Sequence, residues 1–329
     1  MLIETRGDAR LCLKDYKKEV VYMKEEKKMG EMPEIDPEAF VPPMADISWI
    51  KRKYLDIPYD VQSKAQCLDI YLPEEGDGPF PCLIHIHGGG FAIGDKRDDH
   101  MDAYLGAIKR GMAAVSIEYR LSGEATFPAA VLDVRQAIRF LRENADTYKL
   151  DATKFVAIGG SAGGNLAAIL GMNVPNGQFP GEENMENFET QPSVALAIDQ
   201  FGPMNFATMD AQAEENGFSL ANHGEAMSPE SKYIGCAIPE ADAGLIAQAN
   251  PATYIGPSMT KMLVQHGTHD RLVPYAQSVE FVKEIEKKVG ADRVTFVPLA
   301  DADHEDKRFF AEENMNLVFS FIEDNLKRR

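Results

Sequence analysis

The sequence predicts an α/β protein with a mostly parallel central sheet and helices on both of its faces. Short apolar runs alternate with longer amphipathic ones from Ile50 onward, the rhythm of βαβ units. One run, Cys82-Leu83-Ile84-His85-Ile86-His87, reads as a buried strand. Another, Lys154 to Ile158, enters the glycine-rich stretch Gly159-Gly160-Ser161-Ala162-Gly163-Gly164 and is followed by a helical pattern.

The elements follow in order. Cys67 to Leu72 alternates like a half-exposed strand, and Met112 to Glu118 forms the strand after Cys82 to His87. Phe127 to Asn144 carries Ala130, Val131, Val134, Ala137, Ile138 and Leu141 on one face at helical spacing, with Pro128 at its start. After the glycine-rich turn, Asn165 to Met172 reads as a helix. Val194 to Gln200 and Met262 to Gln265 are further strands, Tyr275 to Val289 an amphipathic helix, Val294 to Pro298 the last strand, and Phe309 to Leu326 the closing helix.

Two regions fall outside this rhythm. Residues 1–49 are rich in Lys and Glu and then in Pro, an N-terminal arm that is expected to contribute to a cap or to remain a solvated charged segment. Within the remaining domain, 50–329, the strand pattern stops at about 201–260. There Met204, Met209, Met227, Met259, Phe206, Phe218 and Tyr233 stand among polar residues. So long an excursion reads either as surface helices packed on the sheet or as a lid whose adaptable side chains line a pocket.

Composition narrows the function. The chain has 329 residues, 44% of them hydrophobic and 26% charged, the profile of a globular protein. Its formal net charge of -18 argues against a nucleic-acid partner, because phosphate binding requires basic surface. No apolar run approaches the roughly 18 residues of a membrane-spanning helix, and the first residues lack the pattern of a secretory signal. The four cysteines are scattered without metal-ligand spacing, and Cys82 suits a buried thiol, so a cytoplasmic setting is expected.

The turn at Ser161 matters because a serine hydroxyl is a weak nucleophile that must stand exposed beside a base and beside donors for an oxyanion. A glycine-rich strand-to-helix turn would equally suit a phosphate. A second element, His87-Gly88-Gly89-Gly90-Phe91, follows a buried strand upstream and offers backbone N–H groups without side-chain obstruction. His87 itself suits a loop-organising hydrogen-bond residue better than a base.

The base is sought among seven histidines. His85 lies within a strand, His100 and His223 lie in polar segments, and His266 and His269 flank the turn holding Asp270. His304 follows the last strand and precedes the closing helix, where a loop can bring it over Ser161. Asp270 follows the preceding strand and is the natural orienting carboxylate, with Asp301, Asp303, Glu305 and Asp306 as alternatives on the His304 loop. A metal site drawing on His85, His87, His266, His269 and Asp270 is a weaker alternative. The serine scheme calls for no cofactor and no metal.

From about Lys51 onward the chain resembles the α/β-hydrolase esterases related to the bacterial feruloyl and acetyl-xylan esterases, with hormone-sensitive-lipase-like esterases as relatives. The resemblance rests on His87 to Phe91, Glu118-Tyr119-Arg120-Leu121, Phe127 to Ala130, Gly159 to Gly164, His266-Gly267 with Asp270 and Val273-Pro274, and His304-Glu305-Asp306 with Phe309-Phe310. It implies Ser161, Asp270 and His304 as a triad and the N–H groups of Gly88, Gly89 and Ala162 as an oxyanion hole. It also implies a small-molecule ester substrate, of short-chain or feruloyl type, with an acylated saccharide among the candidates. Gly160 stands where the lipase-like branch carries Asp, which points away from lipid substrates. A peptidase or amidase of the same fold and a non-catalytic ligand-binding module are the rival readings.

Overall fold

The computed structural model describes residues 43–327. Eight strands form one sheet: β1 (Lys53–Pro58), β2 (Cys67–Tyr71), β3 (Phe80–Ile86), β4 (Ala113–Ile117), β5 (Leu150–Gly160), β6 (Leu196–Gln200), β7 (Lys261–Gly267) and β8 (Val294–Leu299). Their spatial order is β1-β2-β4-β3-β5-β6-β7-β8. The pairs from β4 to β8 are parallel, whereas β2 runs antiparallel to both β1 and β4. This is the α/β-hydrolase fold that the resemblance implied.

The helices are α1 (Met101–Tyr104), α2 (Ala129–Glu143), α3 (Ala145–Tyr148), α4 (Ala162–Gly171), α5 (Met209–Asn216), α6 (Pro229–Ile234), α7 (Ala243–Ala249), α8 (Ala276–Val289) and α9 (Glu312–Leu326). One apolar cluster joins α2, α4 and α8 to one face of the sheet, and a second joins α1 and α9 to the other. Helix α4 is buried along its whole length, because it leaves the sheet's centre and runs beneath other elements. No helix among the described residues is long and apolar enough to cross a membrane.

The expected strands and helices are present with boundaries moved by a few residues. Among the strands and α-helices outside 201–260, β1, α1 and α3 went unread. β1 has no fully buried residue, so it shows no apolar face, and α1 is too short to display a period. Of the N-terminal arm, residues 1–42 lie outside the described residues. Its end is pinned to the segment before α1, where Ala45 N–H donates to Arg97 O at 2.9 Å and Asp99 N–H to Pro43 O at 2.8 Å.

Between β6 and β7 the chain forms α5, α6, α7 and short 3-10 turns. Met204, Met209, Met259, Phe206 and Tyr233 are buried there in the core cluster, while Met227 is exposed. The apolar side chains of this stretch thus bind it to the body of the fold, since burying them against the sheet removes more surface from water than lining an open cleft would.

Candidate active site

The parallel strands all deliver their C-terminal ends to one edge, and the loops leaving β3, β5, β7 and β8 meet there. At the end of β5 the chain turns into α4 through Ser161, whose φ of 54° and ψ of -123° place it in a strained conformation. Its neighbours must be small. A Cβ on Gly159 would stand 2.4 Å from the Gly163 backbone, and one on Gly163 would stand 2.1 Å from Ile86 O. The strain is held in place by the Ser161 N–H, which donates to Gln200 O at 2.9 Å.

His304 reaches this turn from the loop after β8. Its Nδ1 lies 2.7 Å from Asp270 Oδ2, and its Nε2 lies 3.0 Å from Ser161 Oγ. A carboxylate only accepts, so Nδ1 carries the proton and Nε2 is left to accept from the serine hydroxyl. Burial by itself would lower the pKa of His304, yet the Asp270 charge and hydrogen bond outweigh it and hold the imidazole above its ordinary value.

Asp270 is fully buried after β7. Its Oδ1 accepts the N–H groups of Leu272 and Val273, each at 2.8 Å. Burial alone would raise its pKa, but His304 and His266 hold the carboxyl far below the usual range. The sequence offered His266 as a flank of the Asp270 turn and as an alternative metal ligand, not as a support for Asp270. Its Nε2 lies 3.0 Å from Val273 O and 3.1 Å from Asp270 Oδ2, and its Nδ1 accepts from Ser278 Oγ at 2.7 Å. Its signal was only a histidine at the end of a buried strand, which cannot tell a core residue from a supporting one.

The carboxylates of the His304 loop are placed elsewhere. Asp303 receives Arg271 N–H at 2.9 Å, Asp306 caps a 3-10 turn through Arg308 N–H at 2.9 Å, and Asp301 is exposed. Glu305 points back toward the turn, its Oε1 3.6 Å from where a Cβ on Gly88 would stand.

The loop after β3 brings Gly88 against the turn from the other side, where a Cβ on it would meet Ser161 Cβ at 3.5 Å. Gly89 and Gly90 have φ values of 91° and 59°, so both occupy the left-handed region that glycine tolerates. The N–H groups of Gly88 and Gly89 donate to no acceptor among the described residues. Ala162 is the first residue of α4, with the orphan N–H of a helix start.

A small cleft opens beside the serine, lined by His85, Gly88, His100, Tyr104, Gly160, Phe201, Glu305 and Phe310. Phe201 was also missed by sequence reading. Its ring lies edge-on to His304 with centroids 4.9 Å apart, and a Cβ on Gly160 would stand 2.9 Å from it. The Gly160 departure from the lipase-like pattern is thereby given a local cause, since an Asp there would displace this ring.

The histidines weighed as metal ligands are dispersed. His85 Nδ1 meets Ser116 Oγ at 3.1 Å, His269 stacks on Phe218, and among the described residues no group of three ligand-type side chains is arranged to hold an ion.

A mostly parallel sheet with a serine on its strand-to-helix turn, met by a histidine and an aspartate from later loops, defines an α/β-hydrolase-fold protein with a serine–histidine–aspartate site. The BD-FAE family matches residues 68–285, and the chain belongs to that family. It is 31% identical over 253 residues to Esterase LipQ of Mycobacterium tuberculosis, covering 76% of this chain and 56% of LipQ, so it spans little more than half the length of that relative. Among solved structures it resembles a truncated carbohydrate esterase from gut microbiota, with a TM-score of 0.73 and 25% identity over 86% of this chain and 99% of that one. A bifunctional GH43-CE protein of Bacteroides eggerthii matches with a TM-score of 0.71 and 27% identity, over 83% of this chain and 35% of its own.

Proposed function

We propose that the protein is a serine carboxylesterase that removes a short acyl group from an ester through an acyl-serine intermediate. The observation that carries this reading is the unbroken relay from Ser161 Oγ to His304 Nε2 at 3.0 Å and from His304 Nδ1 to Asp270 Oδ2 at 2.7 Å. Ser161 gives its proton to His304 as its oxygen attacks the ester carbonyl. The oxyanion is received by the N–H groups of Gly88, Gly89 and Ala162. The imidazolium then protonates the departing alcohol, and water activated by the same ring releases the acid.

The confined cleft beside Gly88 and Gly160 favours an acetyl-sized acyl group over a long chain, because lengthening the chain would meet Phe201 and Phe310. The alcohol portion is read as a saccharide, a reading supported by the likeness to the truncated carbohydrate esterase from gut microbiota. A cytoplasmic setting is supported by Cys67, Cys82 and Cys236 being free thiols.

Turnover of p-nitrophenyl acetate by the purified protein tests the reading. Ser161→Ala is expected to reduce kcat by at least about 10⁴-fold, leaving only what binding and the oxyanion donors supply. Undiminished turnover in that variant overturns the assignment, and faster cleavage of an anilide than of its ester would move the protein to the amidase class. Rates with acetyl, butyryl and octanoyl esters are expected to fall in that order.

A further inference from the structure

His87, Glu118 and Tyr119 form a buried cluster beneath the oxyanion loop and take no part in the relay. The His87 ring lies face to face with that of Tyr119, centroids 4.3 Å apart and planes 11° from parallel. Each of its nitrogens meets an oxygen that only accepts. Nδ1 is 2.9 Å from the carbonyl oxygen of Gly88, and Nε2 is 2.9 Å from Glu118 Oε1. The other oxygen of Glu118 accepts the Lys96 N–H at 3.0 Å.

A ring with acceptors at both nitrogens is satisfied only when both carry a proton, so His87 is an imidazolium paired with the Glu118 carboxylate. The electrostatics agree. Burial alone would lower His87, but the charge and hydrogen bond of Glu118, with Asp98 adding from the segment before α1, raise it. Burial alone would raise Glu118, but His87 and then Lys96 bring it below its ordinary value. His85, two residues back on β3, is depressed first by burial and then by the His87 charge.

The cluster acts on peptide planes. In a trans peptide the carbonyl of one residue and the N–H of the next point in opposite directions. The Tyr119 hydroxyl donates to the carbonyl of His87 at 3.0 Å, with the carbonyl of Gly88 at 3.3 Å. Holding the first carbonyl aims the Gly88 N–H, and the His87 Nδ1–H, by holding the second, aims the Gly89 N–H. Both carbonyls are held, so the Gly88 and Gly89 N–H groups are turned away from them, and the φ of 91° at Gly89 is the left-handed backbone found where successive N–H groups gather around an anion.

We propose that the His87 imidazolium, its Glu118 counter-ion and the Tyr119 hydroxyl are positioning residues that aim the Gly88 and Gly89 N–H groups at the oxyanion, an inference that rests on the esterase reading of Ser161. Tyr119→Phe keeps the stacked ring and removes the hydroxyl. Reactive serine is counted by stoichiometric labelling with a fluorophosphonate, so that kcat is expressed per labelled site whatever fraction of the variant folds.

The expected result is a fall of about 10- to 100-fold in kcat per site on p-nitrophenyl acetate, KM within about twofold, and a comparable loss of affinity for phenylboronic acid, whose serine adduct is tetrahedral and anionic. A merely structural role would reduce the number of labelled sites and leave kcat per site unchanged. Glu118→Gln withdraws the counter-ion, so His87 gives up its second proton at lower pH and the alkaline limb of the kcat profile is expected to move down by about one unit or more. Full kcat per site with unaltered boronate affinity in Tyr119→Phe, or an unmoved alkaline limb in Glu118→Gln, overturns the proposal. Ser161→Ala separates the two readings: an inactive Ser161→Ala beside a fully active Tyr119→Phe sinks this inference alone.

Discussion

Asp270 lies wholly buried between two imidazoles, and in the proposed scheme its charge sets the pH range in which Ser161 is activated. His304 takes the serine proton only while neutral, so activity falls as pH drops through a pKa that Asp270 holds above the ordinary 6.5. Asp270→Asn removes the charge responsible for that elevation. The acid limb of the kcat/KM profile is expected to move to lower pH while the plateau falls by about 10³- to 10⁴-fold, because the amide also presents a donor that favours the wrong tautomer. An acid limb that stays in place would show that another group sets it. At this scale the meeting of Ser161, Asp270 and His304 was legible because each follows a strand in the order the fold imposes. Phe201 was not, since its ring meets His304 only when β6 and the His304 loop come together, and no pattern in the sequence marks the short-range contacts of His266 with Asp270, Val273 and Ser278.

Elements with continuous apolar character were readable because parallel strands are buried on both faces, as β3, β7 and the second half of β5 are. The same periodicity misjudges α2 in one respect. Its apolar stripe was evident, yet Arg135 and Arg139 on this helix are buried as well. Both meet Glu182, which arrives on the loop between α4 and β6; Arg139 Nη2 lies 2.6 Å from Glu182 Oε1, and Arg135 Nε bonds the same oxygen. Sequence spacing cannot show that a glutamate more than 40 positions away neutralises them. Glu182→Ala leaves two guanidinium groups buried with one counter-charge removed, and it is expected to lower the free energy of unfolding in denaturant by about 3–5 kcal/mol. A loss below about 1 kcal/mol would mean that the arginine heads regain water at little cost.

Across the whole molecule, the stretch between β6 and β7 binds the two halves of the site to each other. The Ser219 hydroxyl donates to Asp270 O at 2.7 Å and Leu220 N–H to Arg271 O at 2.8 Å, which ties it to the acid loop. Further on, a Cβ on Gly90 would stand 2.9 Å from Pro229, and the Tyr233 ring stacks on Phe91 with centroids 3.9 Å apart, which ties it to the oxyanion loop. Composition announced an excursion at 201–260 but could not say which surface its aromatic side chains would meet. Tyr233 is the test of that bridge. Its ring also meets Phe127 and Phe206 edge-on, while its buried hydroxyl finds no hydrogen-bond partner among the described residues. Tyr233→Ala empties this aromatic cluster and is expected to cost about 3–5 kcal/mol of stability. Because Phe91 directly follows the glycines of the oxyanion loop, kcat should fall more than KM rises. Tyr233→Phe keeps the ring and removes only the unpaired hydroxyl, so its melting temperature should equal or exceed that of the parent. A Tyr233→Phe protein as unstable as Tyr233→Ala would place the contribution in the hydroxyl and remove the aromatic stack as the bond between the two loops.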